Sequence, residues 1–368
     1  MNNPPPTTSK EGFCPLPMQE LEGAKSYLSG MTMEELKGVA INAGLPAYAA
    51  RQLADWLYKK KITSIAEMTN IAVSKRTFLE EHYHLGLFPP INRMVSADET
   101  VKYLFSVGAD NFIETVYIPD KERSTLCVSS QTGCRMNCVF CHTGKQGFAG
   151  NLTTTEILNQ IRSVSESDKL SNIVFMGMGE PLDNIDTLFR VLEILTSSYG
   201  YGWSPKRITV STVGILKGLE LFLNLCQCNL AISLHSPYPD ERRSLMPIEK
   251  TNPIQDIIQL IRPYDFSHQR RVSFEYIMFE DKNDSLQHAK DLAKLLTGIS
   301  CRVNLINYHA IPENALKKSS IKKMVSFRDV LNTKGVTCTI RTSRGEDIAA
   351  ACGMLSTEQL KKKKENSK

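Results

Sequence analysis

Cys134, Cys138 and Cys141 form a CxxxCxxC triplet. Three thiolates on one short loop can hold three corners of a cubane iron–sulfur cluster and leave the fourth iron open to a small molecule. Zinc would want a fourth protein ligand nearby, and His142, directly adjacent to Cys141, is an awkward one. Phe140, an aromatic before the last cysteine, also suits a cluster loop. Farther on, Met176-Gly177-Met178-Gly179-Glu180-Pro181-Leu182 closes a strand-like run. Glycines there let a ligand approach the backbone closely, and barrel enzymes build their sites at such strand ends. The bland reading of that turn is a tight connection with an exposed Glu180. Two more cysteines draw attention. Cys127 lies in an apolar run and alone reads as a packed strand residue, whereas Cys352 sits among small residues, Ala349-Ala350-Ala351-Cys352-Gly353. Cys14, Cys226, Cys228, Cys301 and Cys338 read as structural.

The elements that must position these groups follow a regular beat. Strand-like runs at 125–129, 172–176, 207–211, 229–234, 272–278, 302–306 and 336–341 alternate with helical stretches at 155–163, 185–195, 216–225, 254–261, 286–296 and 322–333. This alternation predicts βαβ units around a parallel sheet. Periodicity does not choose between a partly closed barrel and an open doubly wound sheet. The triplet immediately follows the first of these strands. Upstream, residues 32–86 turn helical, with Thr32 as an N-cap, Leu36, Val39 and Ala40 at helical spacing, and Leu53, Trp56 and Leu57 likewise. Pro89-Pro90 ends this unit, and alternating residues 101–105 and 112–117 predict two short antiparallel strands.

Composition narrows the classes. The chain of 368 residues is 42% hydrophobic and 23% charged, which is ordinary globular composition. A net charge of +5 is compatible with a polyanionic partner without requiring one. The N-terminal residues lack a signal peptide's apolar run, and nothing approaches the roughly 18 apolar residues of a membrane span. A cytoplasmic protein is therefore expected. In that compartment clustered cysteines point to metal binding or redox catalysis. Lys59, Lys60 and Lys61, with Arg51, Trp56, Tyr58, Lys75 and Arg76 nearby, supply cations for phosphates and aromatics for stacking on RNA. A solvated basic helix face is the equally available reading.

CxxxCxxC after the first strand of such a domain resembles the radical-SAM superfamily, and more narrowly the RlmN/Cfr-type RNA adenine methyltransferases. The likeness runs from about Leu28 to Leu355. It includes Ala50-Arg51-Gln52-Leu53, Trp56 to Lys60, Glu114-Thr115-Val116-Tyr117-Ile118-Pro119, Leu126 to Gln131, Gly147-Phe148, Asn151-Leu152, Val210-Ser211-Thr212, Ser233-Leu234-His235, Met246-Pro247 and Ala350 to Gly353. The resemblance implies an α/β fold, a partial (β/α)6 TIM-like barrel with a small helical accessory domain. It divides the chain into a flexible tail (1–28), a helical RNA-binding unit (29–90), a β extension (91–120), the radical-SAM core (121–353) and a basic tail (354–368).

It also implies a [4Fe–4S] cluster on Cys134, Cys138 and Cys141, and S-adenosylmethionine contacts at Gly179, Glu180, Ser211, Ser233, Leu234, His235 and His309. Cys352 is implied as an S-methylated intermediate, Cys127 as its resolving partner through a transient disulfide, and Glu114 as acceptor of the adenine proton. The implied reaction is methylation of adenine C2 in 23S rRNA, tRNA or both, with two S-adenosylmethionine per turnover. C8 methylation, or a radical-SAM reaction on a non-RNA substrate, is the alternative. A flavodoxin or ferredoxin as electron donor and a monomeric state complete the expectation. One departure is visible: where the family commonly has Asn-Leu-Ile-Pro-x-Asn, this chain has Asn304-Leu305-Ile306-Asn307-Tyr308-His309, so His309 takes the last asparagine's place.

Overall fold

The computed structural model describes residues 25–108, 111–266, 271–311 and 314–357. Cys14 and most of both expected tails lie outside these residues. The N-terminal unit runs from β1 (Ser26–Tyr27) through α1 (Met33–Asn42), α2 (Ala49–Ala54) and α3 (Val73–His82) to β2 (Tyr83–His84), which pairs with β1 in parallel. Thr32 does cap α1. Its hydroxyl meets the Glu35 backbone while the Glu35 carboxylate returns to Thr32, a reciprocal capping box. Glu35 also receives Arg190, 2.6 Å away, and so pins the unit to the core.

Three antiparallel strands follow, β3 (Asn92–Val95), β4 (Val101–Val107) and β5 (Asn111–Asp120), where two were expected. The extra strand, β3, is exposed at every position, so no buried face marks it in the sequence. Next come β6 (Arg123–Cys127) and a hairpin of β7 (Gln131–Gly133) and β8 (Phe148–Asn151) that brackets the cysteine loop and the short α4 (His142–Lys145). Thereafter α5 (Thr154–Arg162), β9 (Asn172–Phe175), α6 (Ile185–Thr196), β10 (Ile208–Thr212), α7 (Leu216–Leu225) and β11 (Asn229–Ser233) alternate. The chain continues through α8 (Pro239–Leu245), α9 (Ile254–Ile261), β12 (Val272–Met278), α10 (Leu286–Leu295), β13 (Cys301–Asn307), α11 (Ile321–Thr333) and β14 (Thr337–Ile340).

One sheet of ten strands, ordered β14-β13-β12-β11-β10-β9-β6-β5-β4-β3, carries the whole core. From β6 to β14 neighbouring strands are parallel, as crossover helices demand. The helices bury apolar stripes on it; α9 contributes Ile254, Ile257, Ile258 and Ile261 at helical spacing. The sheet is open, with β14 and β3 at its edges. The packed body also extends past position 354, where the basic tail was expected to begin: Leu355 and Thr357 are buried, and Thr357 exchanges hydrogen bonds with Gln146 next to α4. Among the described residues no helix is long and apolar enough to cross a membrane.

Candidate active site

The cysteine loop leaves β7 at Gly133 and is braced from two sides. Cys134 N–H donates to Gly147 O at 3.0 Å, and Val139 N–H donates to Leu245 O, at the end of α8, at 3.0 Å. Asn137 takes a left-handed φ of 51°, which bends the loop so tightly that three cysteines fit within it. Cys134 and Cys138 are buried and Cys141 is half-buried, and all three are free thiols. Burial pushes the Cys134 thiol up to about 12 and Cys138 well above its ordinary value, and the neighbouring triplet thiols push both the same way. Three soft donors that cannot ionise comfortably without a cation suit a thiolate-bound metal group. His142 lines a separate cavity with Glu114, so it does not supply the fourth ligand that zinc would need. Among the described residues no three His, Cys, Asp or Glu side chains converge on one ion-sized point. Three free cysteines on one braced loop are a donor set that fits a thiolate-held cluster.

Beside this loop the strand ends converge. Gly177 and Gly179 are irreplaceable by shape: a Cβ at Gly177 would stand 2.7 Å from Val128 O, and Gly179 has φ +98° with Gln131 at 2.5 Å. The turn thus lies flat against β6 and β7, and Glu180 follows it. Contrary to the exposed reading, Glu180 is buried; its carboxylate accepts from Leu182 N at 3.2 Å and Val213 N at 3.0 Å. Burial raises its carboxyl to about 7, against those donors. Ser211 lies near the end of β10 and Ser233 at the end of β11, both half-buried, while Leu234 is fully buried in the core. His235 is a non-glycine residue at φ 59°, a strained conformation that packing must enforce. Its Nδ1 accepts from Ile277 N at 3.0 Å, and its ring meets Phe140 edge-on at 4.8 Å. Burial lowers its imidazole to about 3, with the nearby Arg242 charge adding to the effect, so the ring is neutral. His309 is buried too, with Nε2 at 3.0 Å from Ser343 Oγ and Nδ1 at 3.2 Å from the Glu346 carboxylate.

The two outlying cysteines come together with the loop. Gly353 O accepts from His142 N at 2.8 Å, and the Gly353 backbone lies against Phe140 O, where a Cβ would approach to 3.2 Å. Cys352 is thereby held, exposed, on the rim of the cysteine loop. Cys127 ends β6, buried; burial raises its thiol far above the ordinary range, and the proximity of Cys352 raises it further. Glu114 is buried on β5, beneath a cavity of about 430 Å3 whose lining includes His142, Met354 and Ser356. Its carboxylate accepts from Ser356 N at 2.9 Å and pairs with Lys102 Nζ at 2.9 Å. Burial raises this carboxyl and Lys102 opposes the rise.

Sequence reasoning missed Lys102. The register pairs Lys102 with Val116, two positions from Glu114, so the two share one face of an antiparallel pair, diagonally placed. That signal appears once the strands are aligned. Stacking by Trp56 and Tyr58 is corrected outright. Tyr58 is 1% exposed and donates to Met31 O at 2.6 Å, and Trp56 is buried with its ring covered by Lys60. Lys61 pairs with Asp168 at 2.7 Å.

A parallel βα sheet with a cysteine triplet after its first strand and a Gly-Met-Gly-Glu turn after its second defines a radical-SAM enzyme, a class that uses S-adenosylmethionine and a [4Fe–4S] cluster. The radical SAM superfamily model matches residues 128–295, and the model of the ribosomal RNA large subunit methyltransferase N-terminal domain matches residues 27–85. A relative from Parabacteroides distasonis, named probable dual-specificity RNA methyltransferase RlmN, is 66% identical across 90% of this chain and 97% of its own. One from Desulfotalea psychrophila, named dual-specificity RNA methyltransferase RlmN, is 38% identical across 92% and 97%. The crystal structure of a radical SAM methyltransferase from Sphaerobacter thermophilus superposes with a TM-score of 0.84 at 36% identity, covering 90% of this chain and 99% of that one. The chain belongs to the RlmN family of radical-SAM methyltransferases.

Proposed function

We propose that the protein methylates C2 of adenine in RNA, in large-subunit ribosomal RNA, transfer RNA or both, with Cys352 carrying the methyl group. The observation that carries this reading is the seating of Cys352 on the rim of the cysteine loop, with buried Cys127 nearby and a cavity lined by Glu114 alongside. A generic radical-SAM reaction needs neither of the two extra cysteines. Adenine C2 is electrophilic, so displacement by a methyl cation fails there and a radical route is required. When bound at the cluster held by Cys134, Cys138 and Cys141, S-adenosylmethionine would supply first a methyl group and then hydrogen-abstracting radical chemistry, two molecules per turnover.

The chain's own residues do the rest. Gly179, Glu180, Ser211, Ser233, Leu234 and His235 wall the cofactor's side of the site. His309 joins that wall: Nε2 meets Ser343 Oγ, while Nδ1, 3.2 Å from the Glu346 carboxylate, is buried without a hydrogen-bond partner and is the nitrogen left for the ligand. Cys352 presents its sulfur at the rim. Cys127, as its thiolate, attacks that sulfur, forming an S–S bond and breaking the bond from sulfur to carbon, whose electron pair stays with the carbon and takes up a proton to complete the methyl group. Glu114 takes the proton from the ring carbon, and Lys102 aims it. The adenine must leave its stack to arrive there. A cytoplasmic monomer reduced by a flavodoxin or ferredoxin fits this chemistry. Mass spectrometry of nucleosides from cells lacking the gene tests the proposal. Loss of 2-methyladenosine supports it, loss of 8-methyladenosine assigns the other ring carbon, and an unchanged nucleoside pool overturns it.

A further inference from the structure

Arg242, on α8, is 0% exposed, and four of its five N–H groups are accounted for. Nη1 donates to the Glu249 carboxylate and to Asn252 O, the latter at 3.4 Å. Nη2 donates to Val213 O at 2.7 Å and Ser233 O at 3.1 Å, just past the ends of β10 and at the end of β11. Nε is buried without a partner. An orphaned donor of this kind costs about 1–3 kcal/mol unless something meets it. The same helix ends at Leu245, whose carbonyl holds Val139 N in the cysteine loop. Its side chain packs in the apolar cluster that contains Cys134, Cys138 and Phe140. Val213, whose carbonyl the guanidinium holds at 2.7 Å, packs in that same cluster, which sets the buried charge beside the cysteine loop.

We propose that Arg242 is a positioning residue for the cluster: it braces the surround of the cysteine loop through Val213, and its buried charge raises the cluster's reduction potential. The inference rests on the cluster reading above. Adding an electron makes the cluster more negative, so a buried cation beside one of its thiolates stabilises the reduced form. Glu249, paired with the guanidinium at Nη1, partly opposes that field. Arg242 also holds the carbonyls of Val213 and Ser233, so one group ties the cluster to the strand ends that wall the cofactor. Outer partners of this kind commonly tune a metal group.

The test is a redox titration, followed by electron paramagnetic resonance, on the anaerobically reconstituted full chain, with iron and sulfide counted in each variant. Arg242→Gln should lower the midpoint, and Arg242→Lys, which keeps the charge and loses the planar fork, should fall between it and wild type. Glu249→Gln should shift the midpoint the opposite way, upward. A merely structural role for the pair predicts lower melting temperatures for all three variants and no movement of any midpoint, which overturns the proposal. If the Arg242 variants hold no cluster, Glu249→Gln decides: an upward shift supports the proposal and a wild-type midpoint overturns it. Wild-type protein that binds no cluster overturns the cluster reading itself, and this proposal with it.

Discussion

In the proposed reaction Glu114 is the base, and Lys102, 2.9 Å away, governs how readily its buried carboxyl ionises. Burial raises the carboxyl, and the ammonium holds the rise in check. Removing the cation leaves only the Ser356 N–H and nearby His142 against burial, so in Lys102→Met the carboxyl climbs further and its ionised form needs a higher pH. The acid limb of the single-turnover pH profile should therefore move upward in pH, with less change on the alkaline side. A limb that stays in place would show that Glu114 is not the group titrating. Cys127 allows a sharper outcome, because a buried thiol on a strand is ordinarily inert. Cys127→Ala should still load Cys352 and attack adenine, then stall as a covalent protein–RNA adduct that ribonuclease collapses on a denaturing gel. Adding Cys352→Ala should abolish the adduct. Multiple turnover by Cys127→Ala without any adduct would return Cys127 to a packing role.

At the scale of elements, α5 locks the catalytic strand to the glycine turn through one side chain. Gln160, fully buried, accepts from Ser129 N at 2.8 Å and Thr115 Oγ1 at 2.7 Å, and donates to Ser129 O at 2.9 Å. Ser129 Oγ in turn donates to Glu114 O at 2.6 Å and accepts from Met178 N at 2.8 Å. Glu114, the end of β6 and the turn before Glu180 are thus one hydrogen-bonded unit. Gln160→Leu keeps the apolar stem but deletes three buried hydrogen bonds, at about 1 kcal/mol each. A loss of about 3 kcal/mol is expected in a urea titration. An unchanged midpoint would mean that α5 is held by its apolar face alone.

Across the whole molecule, the RNA surface must come from cations that the fold leaves unspent. Lys60 is exposed above Trp56, whereas Lys61 is tied to Asp168. RNA affinity should fall with salt, and Lys60→Ala should flatten the slope of log K against log salt by about 0.7–0.9, the share of one phosphate contact. Lys61→Ala should leave that slope nearly intact, since removing it frees an anion rather than a phosphate-binding cation. Equal effects of the two substitutions would place the RNA path elsewhere. The same molecule-wide logic covers the end of the packed chain: Ser356 N caps Glu114, and Thr143 Oγ1 donates to Leu355 O at 2.7 Å. Residues 353–357 therefore pack over the cavity, with Met354 and Ser356 in its lining.

What the sequence by itself determined is whatever is written locally. The βα beat, the capping box at Thr32, the cysteine triplet on one loop and the glycine turn before Glu180 all depend on spacing within a few residues, where steric and hydrogen-bonding rules act directly. Tertiary structure alone decided the rest. Cys352 sits beside the cysteine loop only because Gly353 lies against Phe140 and His142. Lys102 reaches Glu114 only through the antiparallel register of β4 and β5. Trp56 and Tyr58 looked available for stacking because an aromatic on a helix carries no mark of which face will be buried. The exposed strand β3 was silent because nothing in it faces a core. Each of these depends on the packing of segments far apart in the chain, and packing is set by the sum of all surfaces buried together rather than by any one of them.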